Sequence, residues 1–278
     1  MTDAYCCAAG KTCFNGGGGG DTSDGGACNI DCEAVCNVVA PGVQGGFQSC
    51  WPTGDGGVQY LCGACGVGRL PSDTKPCPVG ETLGERLARQ AYYEGVSVVA
   101  FERLAAVLAE HGAPESLVAR ARRAADDEAR HASIFGALAR ENGATVPALV
   151  LADVEQTLLD LAIENATEGC VRETLGAVIT MHQAEHAESE SVRAAFAAIC
   201  DDEAEHAAFS WELKAWFDSQ LDAADRARVE EAHRAALASA QLEACAAPDA
   251  TGLALGLPSA DRTRRMLDLA VDAMTAAA

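Results

Sequence analysis

The chain has 278 residues, enough for one large domain or two modest ones. Its 20 basic and 41 acidic side chains leave a formal charge of −21, which argues against a nucleic-acid partner because phosphate would be repelled. No apolar run approaches the roughly 20 residues that span a bilayer, so no membrane span is expected.

The composition divides the chain near Pro78-Val79-Gly80. Residues 1–80 hold 10 of the 13 cysteines, 18 of the 27 glycines and 5 of the 9 prolines, while residues 81–278 hold 34 of the 41 acids. The opening stretch, Met1 to Ala9, has no basic run followed by an apolar core, so the expectation is either a cytoplasmic protein or a mature form without its leader.

Residues 1–80 read as a small irregular Cys-rich domain. Gly16 to Gly20 is a flexible tract, and Asp-Gly, Pro-Gly and Gly-Gly steps mark turns. Such a segment needs cross-links to offset its ordering entropy. Cys6, Cys7, Cys13, Cys28, Cys32, Cys36, Cys50, Cys62, Cys65 and Cys77 read as a disulfide framework, hence an extracytoplasmic home in the periplasm or at the cell surface. The alternative is a metal knuckle at Cys62-Gly-Ala-Cys65, with a cytoplasmic home. A second Cys-x-x-Cys is missing, and Cys28-x3-Cys32-x3-Cys36 has the wrong gap.

From Glu81 onward apolar residues recur with a helical period. Leu83, Leu87, Tyr92, Val98, Phe101, Leu104 and Leu108 predict a helix over 81–111, ending at His111-Gly112 before Pro114. A second is expected over 115–141, stopping at Asn142-Gly143, then others over 151–188 and 190–219. Weaker helical segments follow at 222–246 and 260–277. The expected architecture is all-α: an up-and-down four-helix bundle over 81–219 with a helical extension over 220–278.

The strongest signal is a duplication. Ala125-Asp126-Asp127-Glu128-Ala129-Arg130-His131-Ala132 recurs as Cys200-Asp201-Asp202-Glu203-Ala204-Glu205-His206-Ala207. Upstream, Glu94-Gly95 is echoed by Glu168-Gly169, 34 residues before Glu128 and 35 before Glu203 respectively. Each half thus carries a Glu on one helix and a Glu-x-x-His on the next.

These groups sit on apolar stripes: Glu128 with Ala121, Ala124, Ala132 and Phe135, and Glu203 with Phe196, Ile199, Cys200 and Ala207. Glu94 lies with Leu87, Ala91, Val98 and Phe101, and Glu168 with Leu161, Val171 and Leu175. Positions i and i+3 share a helix face, so His131 and His206 point inward with their glutamates. Burying four carboxylates and two imidazoles is prohibitive without compensation, and two divalent cations balance four negative charges. Carboxylate and imidazole donors suit iron, two per chain, with manganese or zinc as substitutes.

On these residues, 81–219 resembles the ferritin-like superfamily, most of all its rubrerythrin-type and related bacterial di-iron members. The resemblance implies a bridged iron pair that reacts with O2 or H2O2. It places Glu94 and Glu168 as the carboxylates of helices 1 and 3, and Glu128 with His131 and Glu203 with His206 as the two Glu-x-x-His sets. Asp127-Glu128-Ala129-Arg130-His131 also fits the Asp-Glu-x-Arg-His signature of bacterial multicomponent mono-oxygenases; the second half departs from it at Glu205.

Further candidates surround this set. Asp127 and Asp202 would either accept from the histidine of the opposite half or serve as solvated caps. Glu173, five residues past Glu168, would be turned about 140° away in a regular helix and reaches the metals only through a π-bulge. Glu102 reads as a salt-bridging neighbour, His182 and His186 as a part-exposed pair, Tyr92 and Tyr93 as core, and Cys170 and Cys200 as small buried hydrophobes. The expected function is a non-haem di-iron oxidoreductase with O2 or H2O2 as co-reactant and an electron donor the sequence does not identify. The rival readings are an iron-handling ferroxidase or storage protein, and an oxygenase acting on a small molecule or peptide. A homodimer is one assembly the sequence leaves open.

Overall fold

A computed structural model of the chain describes residues 47–52, 58–62, 69–71, 74, 77, 80–149, 151, 156–243 and 248–277. In the Cys-rich region, strands β1 (Phe47–Pro52) and β2 (Val58–Cys62) pair antiparallel, with Cys50 opposite Tyr60 and Trp51 opposite Gln59. This antiparallel pair replaces the irregular chain expected there; the aromatic and β-branched residues within Phe47–Pro52 and Val58–Cys62 favour it. Cys77, counted in the expected disulfide framework, is a buried free thiol. Of the other nine, Cys50 and Cys62 lie on the two strands, and Cys6, Cys7, Cys13, Cys28, Cys32, Cys36 and Cys65 lie outside the described residues.

The rest is helical. α1 (Leu83–Glu110) starts at a capping box in which Thr82 accepts from the Glu85 N–H and Glu85 reaches back to the Thr82 N–H. α2 (Glu115–Glu141) follows Pro114, and Gly112 and Gly143 close the two helices as expected. The third rod is composite: α3 (Leu158–Glu164), a π-helical stretch (Asn165–Glu173) and α4 (Thr174–His186). It begins later than the sequence suggested, at a Thr157/Asp160 capping box. α5 (Glu190–Gln220) is the longest helix, and α6 (Ala223–Glu243), the short α7 (Ala250–Ala254) and α8 (Ala260–Ala277) complete the chain. No helix among the described residues is long and apolar enough to cross a membrane.

Two apolar clusters fix the directions of the rods. One gathers Phe101, Leu104 and Leu108 from α1, Leu117 and Val118 from α2, Leu161 and Ala162 from α3, and Phe209, Leu213 and Phe217 from α5. The other gathers Leu87 and Ala91, then Phe135 and Leu138, then Ala187, then Phe196 and Ile199. α1 and α5 therefore run from the second cluster to the first, while α2 and the third rod run the opposite way. The alternating up-and-down order expected from short connections does not occur: α2 and the third rod are parallel. The chain between Gly143 and Thr157 crosses back along the molecule and touches α1 at Gly95, where an added Cβ would meet Leu149 at 3.2 Å. α6 covers the π-helical stretch from outside through Ala236 and Ala240 on Val171, with Leu267 of α8 beside them.

α7 closes the end of α4. Gln183 donates to the Leu255 carbonyl (3.0 Å) and the Glu188 N–H to the Ala254 carbonyl (2.9 Å). The chain leaves this turn at Gly256, whose φ is +77° and where a Cβ would lie 2.5 Å from the Ala187 nitrogen. Gly256→Ala should therefore destabilise the protein by at least about 1–3 kcal/mol, the cost of the left-handed backbone alone, read as a lower denaturation midpoint in urea.

Candidate metal centre

A polar layer lies between the two apolar clusters. Glu94 is placed by α1, Glu128 and His131 by α2, and Glu203 and His206 by α5; all five are buried. One donor atom each from Glu94, Glu128, His131 and Glu203 falls within 4.8 Å of the others, a buried group able to hold a metal ion.

Both histidines turn Nδ1 inward. His131 Nδ1 lies 3.3 Å from Glu203 Oε1, 3.6 Å from Glu128 Oε2 and 3.9 Å from Glu94 Oε2. His206 Nδ1 lies 3.2 Å from Glu128 Oε1, so Glu128 stands between the two imidazoles, whose rings are 6.0 Å apart. The outer nitrogens meet the acids of the opposite half. His131 Nε2 is 3.2 Å from Asp202 Oδ2, and His206 Nε2 is 3.6 Å from Asp127 Oδ2. Arg130 pairs with both acids, at 3.1 Å to Asp127 and 2.5 Å to Asp202, and ties the two halves together at the rim. Of the two alternatives the sequence left, the structure gives the crossed hydrogen bond for Asp202; Asp127 faces His206 without bonding it, and His206 Nε2 has no hydrogen-bond partner.

The third rod contributes differently from the simple repeat. Glu168 is half-buried on the π-helical stretch and lies outside the four-residue group, whereas Glu173 is buried. The π-helical backbone accommodates one extra residue, which reduces the angle between positions five apart by roughly 100°. This is the condition under which Glu173 was expected to reach the site. Ser210 donates to its Oε2 at 2.7 Å.

The other candidates fall outside this layer. Glu102 is exposed. His182 stacks on His186 at 3.9 Å, the first buried and the second exposed. Tyr93 packs in the core beside Tyr92, and its hydroxyl accepts from the Cys77 N–H at 3.1 Å. Cys170 is buried with its thiol donating to the Ser210 carbonyl, and burial pushes that thiol up to about 12. Cys200 is half-buried. Arg69, Gln90, Glu164, Asn165 and Ser210 escaped the sequence reading. Gln90 donates to Glu94 Oε1 at 2.6 Å from one turn earlier, a spacing that could have flagged it. Arg69 carried no such signal, because it stands in a stretch without periodicity.

The electrostatics are those of a crowded buried charge set. Burial and the neighbouring Glu128 and Glu203 carboxylates push Glu94 well above the usual carboxylate range. Burial disfavours ionised Glu128, but His131 and His206 beside it prevail and hold it well below that range. Burial likewise disfavours the imidazolium of His131, yet Glu128 and Glu203 raise it to about 11. His206 is raised to about 9 against the same opposing effect, chiefly by Glu128. Glu94 Oε2, both Glu128 oxygens, Glu173 Oε1 and the Nδ1 atoms of both histidines are buried without a hydrogen-bond partner. Orphaned atoms of this kind are costly singly, and here they converge. They fit a pair of divalent cations. Compared with protein-family models, curated proteins and solved structures, the chain shows no match.

Metal ligation requires neutral imidazoles, whereas His131 and His206 hold protons up to about 11 and about 9. Adding Zn(II) or Co(II) at about pH 7 should therefore release protons, seen with an indicator dye in weak buffer. The release should shrink as the pH passes about 9, where His206 has already lost its proton. A metal uptake with no proton release would contradict these protonation states.

Proposed function

We propose that this protein is a di-iron oxidoreductase of the ferritin-like kind, with O2 or H2O2 as its co-reactant. The observation that carries the reading is the convergence of orphaned Glu and His atoms from two equivalent half-sites into one dry layer. Glu94 and His131 would hold the first ion and His206 the second, with Glu128 and Glu203 between them. Glu173 would complete the second position, with Glu168 the next carboxylate on that rod. The crossover between α2 and the third rod agrees with this kinship, since ferritin-like folds carry one long crossover connection. Manganese and zinc would satisfy the same donors, but only redox-active iron or manganese serves this reaction.

Two iron ions would supply electrons for reducing the oxidant. The protein's own part is orientation and exclusion of water. Asp202 bonds the outer nitrogen of His131, which directs the lone pair of its Nδ1 inward, and Asp127 lies 3.6 Å from the outer nitrogen of His206. Gln90 holds one oxygen of Glu94 and leaves the other toward the layer. Phe101, at 5.3 Å from the His206 ring, and Phe135 seal the layer from the two clusters. A nearly symmetric set with an imidazole at each position favours retaining both ions over passing them through.

Anaerobic loading should give two Fe(II) per chain, and cycles of oxidant and reductant should return the same two ions by iron assay. Glu128→Ala and Glu203→Ala should each lose stoichiometric binding. Should both variants still bind two, the ligand assignment is wrong. Continuous uptake of many Fe(II) per chain into mineral would make storage the function instead.

A further inference from the structure

Arg69 belongs to the Cys-rich region of residues 1–80, yet it is fully buried (0% exposed) against the helical part. Its main-chain oxygen accepts from Ser97 of α1 at 3.1 Å. Its guanidinium lies over Phe101, 5.3 Å from the ring centre, and its Nη2 donates to Asn165 (2.6 Å) and Ser210 (3.4 Å). The remaining nitrogens face two carboxylates: Nη1 is 3.8 Å from Glu164 and Nε is 3.8 Å from Glu173. Neither nitrogen has a hydrogen-bond partner, and neither has Glu173 Oε1.

The space for this group is built into the third rod. A Cβ on Gly169 would lie 2.6 Å from Arg69 Nη2 and 2.6 Å from Ser210 Oγ. The glycine that follows Glu168 in the repeat thus makes room for a guanidinium. Glu164 is held by Gln156 at 2.8 Å and serves as a fixed counter-charge to Arg69. Glu173 is held more loosely: Ser210 binds one oxygen, and the other meets Arg69 only at 3.8 Å.

We infer that Arg69 is a positioning residue for Glu173: together with Ser210, in the space left by Gly169, it aims that carboxylate at the second metal position. The inference rests on the di-metal reading above. An arginine with a purely structural task would saturate its donors; Arg69 leaves two unsaturated nitrogens toward carboxylates, one of which faces the metal layer. Because the Nε contact is long, Glu173 can turn one oxygen to an incoming cation without breaking a hydrogen bond to Arg69.

Titration of the full chain with Co(II), followed by its visible ligand-field spectrum, tests this without any turnover. The unaltered protein should bind two ions in distinguishable steps. Arg69→Met should leave the first step unchanged and weaken the second by about 10–100-fold, the usual effect of losing a residue that orients a ligand. Arg69→Lys, which keeps the charge, should recover part of that loss. Gly169→Ala removes no donor and should reproduce Arg69→Met by displacing the guanidinium, with far-ultraviolet circular dichroism confirming intact helices. Two wild-type steps in Arg69→Met would overturn the inference, as would loss of both steps together with helicity. Failure of the unaltered protein to bind two Co(II) would instead remove the di-metal reading, and this inference with it.

Discussion

Everything in this fold answers to one electrostatic constraint: ionisable groups from all four rods are buried at mid-length between two apolar clusters. Bringing a single carboxylate out of water costs several kcal/mol even after relaxation. Glu94, Glu128, Glu173 and Glu203 are buried together, so the cost multiplies unless positive charge is present. Without a cation, the layer holds protons where an isolated side chain would not, on His131, His206 and Glu94. Protons and divalent ions are thus competing solutions to the same problem.

The flanking clusters make the layer affordable in stability terms. Phe101, Leu104, Phe209 and Leu213 on one side and Leu87, Phe135, Phe196 and Ile199 on the other are essentially removed from water. Each such side chain contributes about 1.5–3 kcal/mol of burial. Because every rod passes through both clusters, displacing one rod along its axis would break apolar contacts at both ends. The positions of the donor atoms are therefore set by packing on either side of them.

The part of this that was legible in the sequence is the part with a period. The matched Glu-x-x-His sets placed Glu128, His131, Glu203 and His206 on buried faces, and the cap residues gave the ends of α1 and α2. Direction was not legible: the length of a connection does not say whether it turns back or crosses, and Gly143 to Thr157 crosses. The π-helical stretch was legible only as a condition on Glu173, since no single residue type encodes it. Arg69 was invisible because its role depends on where a non-periodic segment is laid across α1 and α5, which is a tertiary fact.

The two Glu-Gly steps show how a duplicated sequence became an asymmetric site. Both glycines do the same physical thing, leaving room where a methyl group would intrude. At Gly95 the room is filled by Leu149 of the crossing segment, an apolar cover over α1 beside Glu94. At Gly169 it is filled by the guanidinium of Arg69, a charge placed among Glu164, Glu173 and Ser210. One glycine is thus covered by hydrocarbon and the other by a cation that no repeat element supplies. On the di-metal reading, Arg69 would bear on the Glu173 side alone, so two ions would differ in environment despite equivalent Glu-x-x-His ligands. The difference lies in the segments laid over the repeat, and it arises from the two places where the repeat left a side chain out.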